Sequence, residues 1–209
     1  DTRLLMVNSP NNPTGWTLTR AEQQTILDRC RQHGIWLLAD DAYERLVFDE
    51  VGVAPSFFDI AHADDRLVSA NTFSKSWLMT GWRLGWSVWP QALYENARKL
   101  AVNSFSCTNA ATQFAGIAAL EGPQDAVRSM IAEFDARRRI VVEGLNALPN
   151  VSAATPKGAF YAFPNISKTG WKAKKLASAL LEDAGVATIG GPDFGVYGEG
   201  YIRLSYANS

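Results

Sequence analysis

Two cations stand alone in the stretch from Ser69 to Gly85: Lys75 and, eight positions later, Arg83. Small hydroxyl residues, Thr72 and Ser74, precede the lysine, and Gly81 and Gly85 flank the arginine. A lysine withdrawn from solvent loses part of its preference for the charged form, and the neutral amine is the nucleophile that condenses with carbonyls. An arginine on a glycine-flanked turn offers a rigid fork suited to phosphate or carboxylate. A carbonyl and a phosphate held at a fixed separation describe pyridoxal 5'-phosphate. Taken alone, the stretch equally suits a buried amphipathic segment whose Lys75 snorkels outward and whose Arg83 pairs with a carboxylate.

The elements that must position these groups can be read from pattern. Residues 3–8 form an apolar run that reads as a buried strand, ended by the turn cluster Ser9-Pro10-Asn11-Asn12-Pro13-Thr14-Gly15. Thr19 with Glu22 three residues later has the form of a capping box, and Gly34 of a helix stop. Ile35 to Ala39 is the next strand, ending in Asp40-Asp41-Ala42-Tyr43. Strand, helix, strand in this order indicates a parallel or mixed sheet covered by helices, where ligands gather at the C-terminal ends of strands. Arg66 to Ala70 and Leu84 to Trp89 supply two more strands around the lysine segment, so three candidate sites converge on one sheet edge. Helices are expected over 91–103, 109–120 and 124–148, the last with Arg137-Arg138-Arg139 on a solvated face and Ile131, Phe134, Ile140, Val141 and Leu145 buried. After Pro149 the rhythm changes to short strands at 151–153, 159–163, 186–189 and 201–206 around one helix at 171–183. The expected domains are therefore 1–122 and 123–209, the second a smaller α+β unit.

Bulk properties narrow the function classes. Net charge is −1, from 20 basic and 21 acidic residues, so no polybasic patch speaks for nucleic acid or an anionic membrane. A small-molecule partner is left. Cys30 and Cys107 lie far apart without metal-ligand spacing; no metal is expected, and the usage suits a reducing cytoplasm. No apolar run approaches the roughly 20 residues that span a bilayer.

Four motifs stand together: Asn12-Pro13-Thr14-Gly15, Asp40-Asp41-Ala42-Tyr43, Ser74-Lys75 with Arg83, and Arg203-Leu204-Ser205-Tyr206. Their order and spacing resemble the class I/II aminotransferases of the fold-type I pyridoxal-phosphate enzymes, in the aspartate and aromatic aminotransferase branch, which carries Met79-Thr80-Gly81-Trp82-Arg83-Leu84-Gly85 after its lysine. The resemblance runs over essentially the whole chain. It implies an α/β fold comprising part of the large mixed-sheet domain and most of the small domain, with the last helix missing. The strand-like start at Arg3 without a methionine suggests the C-terminal part of a longer chain.

The resemblance implies roles residue by residue. Lys75 would form the internal aldimine and shuttle the substrate proton. Asp40 would keep the pyridine nitrogen protonated. Spacing alone does not choose between Asp40 and Asp41; the family pattern Asp-x-Ala-Tyr selects Asp40 and leaves Asp41 structural. Asn12 and Tyr43 would donate to the phenolic oxygen, Arg83 and Thr72 would hold the phosphate, Arg203 would fork onto the substrate α-carboxylate, and Phe160 would line the substrate pocket. Trp77 and Trp82 read as packing residues. The phosphate-cradling loop, the ring-stacking aromatic and a residue from a neighbouring subunit would lie upstream of Asp1. The implied activity is transfer of an amino group from an amino acid to a 2-oxo acid by a cytoplasmic homodimer. Lyases and synthases of the same fold carry the same lysine, and an aminotransferase-like ligand sensor of a transcription regulator would share the core. No basic residue lies between Lys99 and Arg128, which argues against a clamp for a second carboxylate within the chain.

Overall fold

The structure, a computed structural model, describes residues 1–49 and 51–208. Ser209, the last residue of the expected second domain, lies outside them. Two compact units are present. The first comprises Asp1–Pro10 with Thr17–Arg128, the second Asn11–Trp16 with Ser129–Ser209. The break at Gly122-Pro123 lies within the first unit.

The first unit is built on a four-stranded sheet in sequence order: β1 (Leu4–Asn8), β2 (Trp36–Asp40), β3 (Leu67–Thr72) and β4 (Gly85–Val88). β1, β2 and β3 are parallel and β4 runs antiparallel to β3, giving the mixed sheet expected. Between β1 and β2 lies α1 (Arg20–His33). Thr19 accepts from the Glu22 N–H while the Glu22 carboxylate accepts from the Thr19 N–H at 2.7 Å, and Gly34 closes the helix at φ 62°. These caps satisfy backbone groups that a helix end would otherwise leave orphaned. Leu27 and Cys30 of α1 pack with Leu37, Ala39, Leu67, Leu18 and Phe57 into the core of this unit.

Two expectations for this unit need correction. β1 is not buried: Leu4, Leu5 and Met6 are 55%, 37% and 60% exposed. Among the described residues it is an edge strand, paired with β2 alone, and an apolar run does not distinguish an edge from a centre. Trp82 does not pack in the interior either; it is 51% exposed. Helix α3 (Gln91–Phe105) buries no side chain and α4 (Ala110–Glu121) buries only Thr112 and Gly116, so Leu100, Phe105 and Phe114 stand open.

The long helix α5 (Asp125–Ala147) leads out of the first unit. The second unit adds β5 (Tyr161–Ala162), α6 (Ala173–Ala184), β6 (Ile189–Gly190) and β7 (Ile202–Ser205), with β7 central and antiparallel to both neighbours. Ile166, Ala173 and Ile202 form its core. The strand expected at 151–153 reduces to a single bridge from Ser152 to Asn165. The buried stripe of α5 is narrower than the periodicity suggests: Phe134 and Val142 are buried, but Ile140 is 71% exposed. Nor is the arginine run uniformly solvated. Arg139 is, whereas Arg138 is folded against the Asp135 carboxylate and donates to the Pro156 carbonyl at 2.7 Å, and Arg137 donates to the Ala207 carbonyl at 3.1 Å. Charge alone could not reveal this, because the acceptors are carbonyls brought in from distant loops. Gly15 adopts φ 68°, and a Cβ there would lie 2.4 Å from the Cβ of Pro156, so the turn after Asn12 closes only with glycine.

Candidate active site

Parallel pairing sets Asn8 opposite Asp40, and Asp40 opposite Ala70, so β1 and β2 end level and β3 runs two residues further, to Thr72. The Asp40 carbonyl accepts from the Asn8 side-chain amide at 3.1 Å and from the Ser9 N–H at 3.3 Å, while its carboxylate accepts from the Ala42 N–H at 3.3 Å. The chain then turns through Asp41–Glu44, which places Tyr43 in the interior. At the end of β3, Thr72 caps α2 (Phe73–Ser76) by accepting the Ser74 N–H at 3.0 Å. Lys75 sits on this short helix, partly buried, with Nζ 5.8 Å from the centre of the Tyr43 ring. Phe73, Trp77 and Trp86 form an aromatic cluster beneath it, and the Arg45 guanidinium lies 5.3 Å from the Trp77 ring.

Arg83 follows a 3₁₀ turn over Thr80–Trp82, in the left-handed region at φ 54°. That strained backbone aims an exposed guanidinium along the loop, where it donates to the Thr80 carbonyl at 2.8 Å. Thr72 binds the same loop from the other side, donating to the Leu84 carbonyl at 3.2 Å. A cleft of about 920 Å³ opens beside Arg83, between the 78–85 loop and the segment from Phe105 to Thr112; Arg83 is its only charged lining residue among the described residues.

Asp41, next in the chain, faces the interior instead. It is buried, accepts from the Ser69 hydroxyl at 2.7 Å, and burial pushes its pKa up to about 6. Below about pH 4 this carboxyl is neutral in folded and unfolded chains alike; as the pH rises to about 6 the unfolded chain releases its proton first, and folding is progressively penalised, by up to about 3 kcal/mol. Asp41→Asn keeps an acceptor for Ser69 without the charge. Urea unfolding should show the variant more stable than wild type by roughly 1–3 kcal/mol near pH 8 and little changed near pH 3.5. Equal stabilisation at both values would show that burial of the carboxylate is not the cause.

In the second unit, Arg203 Nη1 donates to the Asn12 side-chain oxygen at 2.8 Å. Its guanidinium lies between two rings, 4.5 Å from the centre of Tyr161 and 5.0 Å from that of Phe194. Phe160 instead packs at a tilt against Phe134 and Tyr161, at 5.7 and 4.6 Å between centroids. Tyr161 and Phe194 escaped the sequence reading; the only available signal was the aromatic density of Phe160-Tyr161 and Phe163 around a lone strand arginine. The expected site residues thus form two sets: Asp40, Tyr43, Thr72, Lys75 and Arg83 in the first unit, Asn12, Phe160 and Arg203 in the second.

Comparison with known proteins decides the family. The model of the family described as aminotransferase class I and II matches residues 1–209. The chain belongs to that family. Among its aminotransferase relatives are the aspartate aminotransferase of Pyrococcus horikoshii, 41% identical over 211 residues, and the aromatic-amino-acid aminotransferase 2 of Thermococcus litoralis, 38% identical over 215. Both alignments cover 100% of this chain, but 53% and 54% of the relatives, so the chain spans about half the length of the curated relatives it matches. Among solved structures, the aromatic aminotransferase from Pyrococcus horikoshii OT3 superposes with a TM-score of 0.94 at 37% identity, covering 100% of this chain and 56% of that one. The aspartate aminotransferase from Rhizobium meliloti gives 0.90 at 33%, covering 100% and 54%. The fold is accordingly that of the fold-type I aminotransferases, a family generally dependent on pyridoxal phosphate.

Proposed function

We propose that this chain carries the catalytic lysine of a pyridoxal-phosphate-dependent aminotransferase, moving an amino group from an amino acid to a 2-oxo acid. The observation that carries the reading is the seat of Lys75, a primary amine on a hydroxyl-capped turn against the Tyr43 ring, with a guanidinium on the same loop. Amine, phenol, carboxylate, hydroxyl and guanidinium in one unit suit an aromatic aldehyde that bears a phosphate. When bound, the cofactor supplies an aldehyde and a ring able to accept the electron pair released at the substrate α-carbon. Lys75 Nζ would hold the group at its aldehyde, give way to the incoming amino group, and serve as the base that carries the substrate α-proton. The Asp40 carboxylate would keep a proton on the ring nitrogen, and the Tyr43 hydroxyl would donate to the ring oxygen. Arg83 would hold the phosphate, and Thr72 would join it by turning its one hydroxyl proton away from the Leu84 carbonyl. Arg203 takes the substrate α-carboxylate, and Asn12, already bonded to it, fixes the plane of the fork. The homodimer and the cytoplasmic setting implied by the resemblance belong to this reading; no helix among the described residues is long and apolar enough to cross a membrane.

The decisive experiment supplies the protein with pyridoxal phosphate, an amino acid and a 2-oxo acid, and follows formation of the new amino acid. Stoichiometric transfer is expected. A visible cofactor band without turnover would favour a ligand sensor instead. Arg203→Ala should raise the substrate KM by about 100-fold while changing cofactor affinity by less than about threefold, since a charge-assisted pair is lost only to substrate. Comparable losses in both titrations would mark Arg203 as structural.

A further inference from the structure

The Glu44 side chain is 25% exposed, and nothing in the roles above uses it. Its backbone is pinned from both sides: the N–H donates to the Asp41 carbonyl at 2.9 Å, and the carbonyl accepts from Ala54 at 2.7 Å. The carboxylate accepts a hydrogen bond from the Asn71 side-chain amide, and Arg45 Nε stands 3.8 Å away. Asn71 is thereby oriented, amide toward Glu44 and oxygen toward the backbone, where it accepts the Thr72 N–H at 2.7 Å. Thr72 in turn divides its hydroxyl between the two ends of the loop, accepting from Ser74 beside Lys75 and donating to the Leu84 carbonyl beside Arg83. Gly85 allows this closeness, because a Cβ there would lie 2.6 Å from the Asn71 carbonyl oxygen.

We propose that Glu44 is a positioning residue which, through Asn71 and Thr72, sets the lysine end and the phosphate end of the loop as one unit. The Thr72 hydroxyl touches both halves of the loop, its backbone N–H is held by Asn71, and the Glu44 carboxylate fixes which way the Asn71 amide faces. A carboxylate fulfils that task better than a neutral acceptor because the charge strengthens the bond. Burial raises the Glu44 pKa, and the Asn71 amide and Arg45 act against that rise by favouring the charged form.

The proposal rests on the reading of Lys75, Thr72 and Arg83 as a cofactor seat, so its test needs one readout that works without cofactor. Amide hydrogen exchange across residues 72–85 of the cofactor-free protein supplies it, and absorbance titration with pyridoxal phosphate supplies the second. Asn71→Asp keeps the acceptor for Thr72 but faces Glu44 with a like charge; exchange in the loop should rise, and cofactor affinity fall, by about tenfold each. Combining it with Glu44→Gln restores the bond with donor and acceptor reversed, and should bring both readouts back to within about threefold of wild type. A double variant no better than Asn71→Asp alone would overturn the relay, as would unchanged exchange in Glu44→Ala. Melting temperatures within about 3 °C of wild type separate a local loosening from general destabilisation. Wild-type protein that takes up no pyridoxal phosphate would instead sink the cofactor reading, leaving the exchange data to judge the relay by themselves.

Discussion

Lys75→Ala should lower the rate of amino transfer by at least about four orders of magnitude, because in the proposed reading one side chain serves as both covalent anchor and proton carrier. Loss of proton transfer alone removes about two to four orders, and loss of the anchor adds to it. The fold should survive. Lys75 lies partly exposed on a helix whose cap is Thr72 and whose packing is provided by Phe73, Trp77 and Trp86, none of which the substitution touches. Steady-state kinetics with circular dichroism on the same preparation check both halves of the expectation. Borohydride reduction of wild-type protein carrying pyridoxal phosphate gives an independent answer: peptide mapping should find the label on Lys75, and label on another lysine would end the assignment.

Asp40→Asn is expected to slow transfer by roughly two to three orders of magnitude, with the substrate KM little altered. The substitution is nearly isosteric and keeps an acceptor for the Ala42 N–H, so the corner at the end of β2 holds its shape. What would disappear, in the proposed reading, is the charge that holds a proton on the ring nitrogen, and that charge matters only while electrons move into the ring. The contrast with its neighbour sharpens the test. Asp41→Asn should leave the rate within about threefold, since its carboxyl faces Ser69 and its removal relieves a burial penalty. If the two variants exchanged behaviour, the roles of the aspartates would be reversed.

Much of this site was legible in the sequence because its parts are local. The Thr19–Glu22 box, the Gly34 stop and the strand-end motifs each depend on residues a few positions apart, and the structure reproduces them. The family likeness of the four motifs is borne out by the match over residues 1–209. What stayed hidden depends on distant partners. The edge position of β1 follows from the order of strands in the sheet, which an apolar run does not encode. Arg138 binds a carbonyl 18 residues away, and carbonyls belong to every residue type. The rings on either side of Arg203 come from β5 and from the 3₁₀ turn at 191–194, so no spacing rule would have joined them. Glu44 was passed over because a glutamate after a tyrosine carries no signal until Asn71 is seen to face it.

The antiparallel pairing of Thr72 with Gly85 has a thermodynamic consequence. It makes the segment that carries Lys75 and Arg83 a loop whose ends are already closed by its own sheet. A molecule gripped at both points acts as a strut across a frame that is already standing. Little chain entropy remains to be surrendered on binding, since closure entropy grows only with the logarithm of loop length and most of it is spent when the strands pair. The affinity of the two anchors is therefore available in nearly full measure, and a change that unzips β4 from β3 should weaken ligand binding even if every contacting side chain is intact.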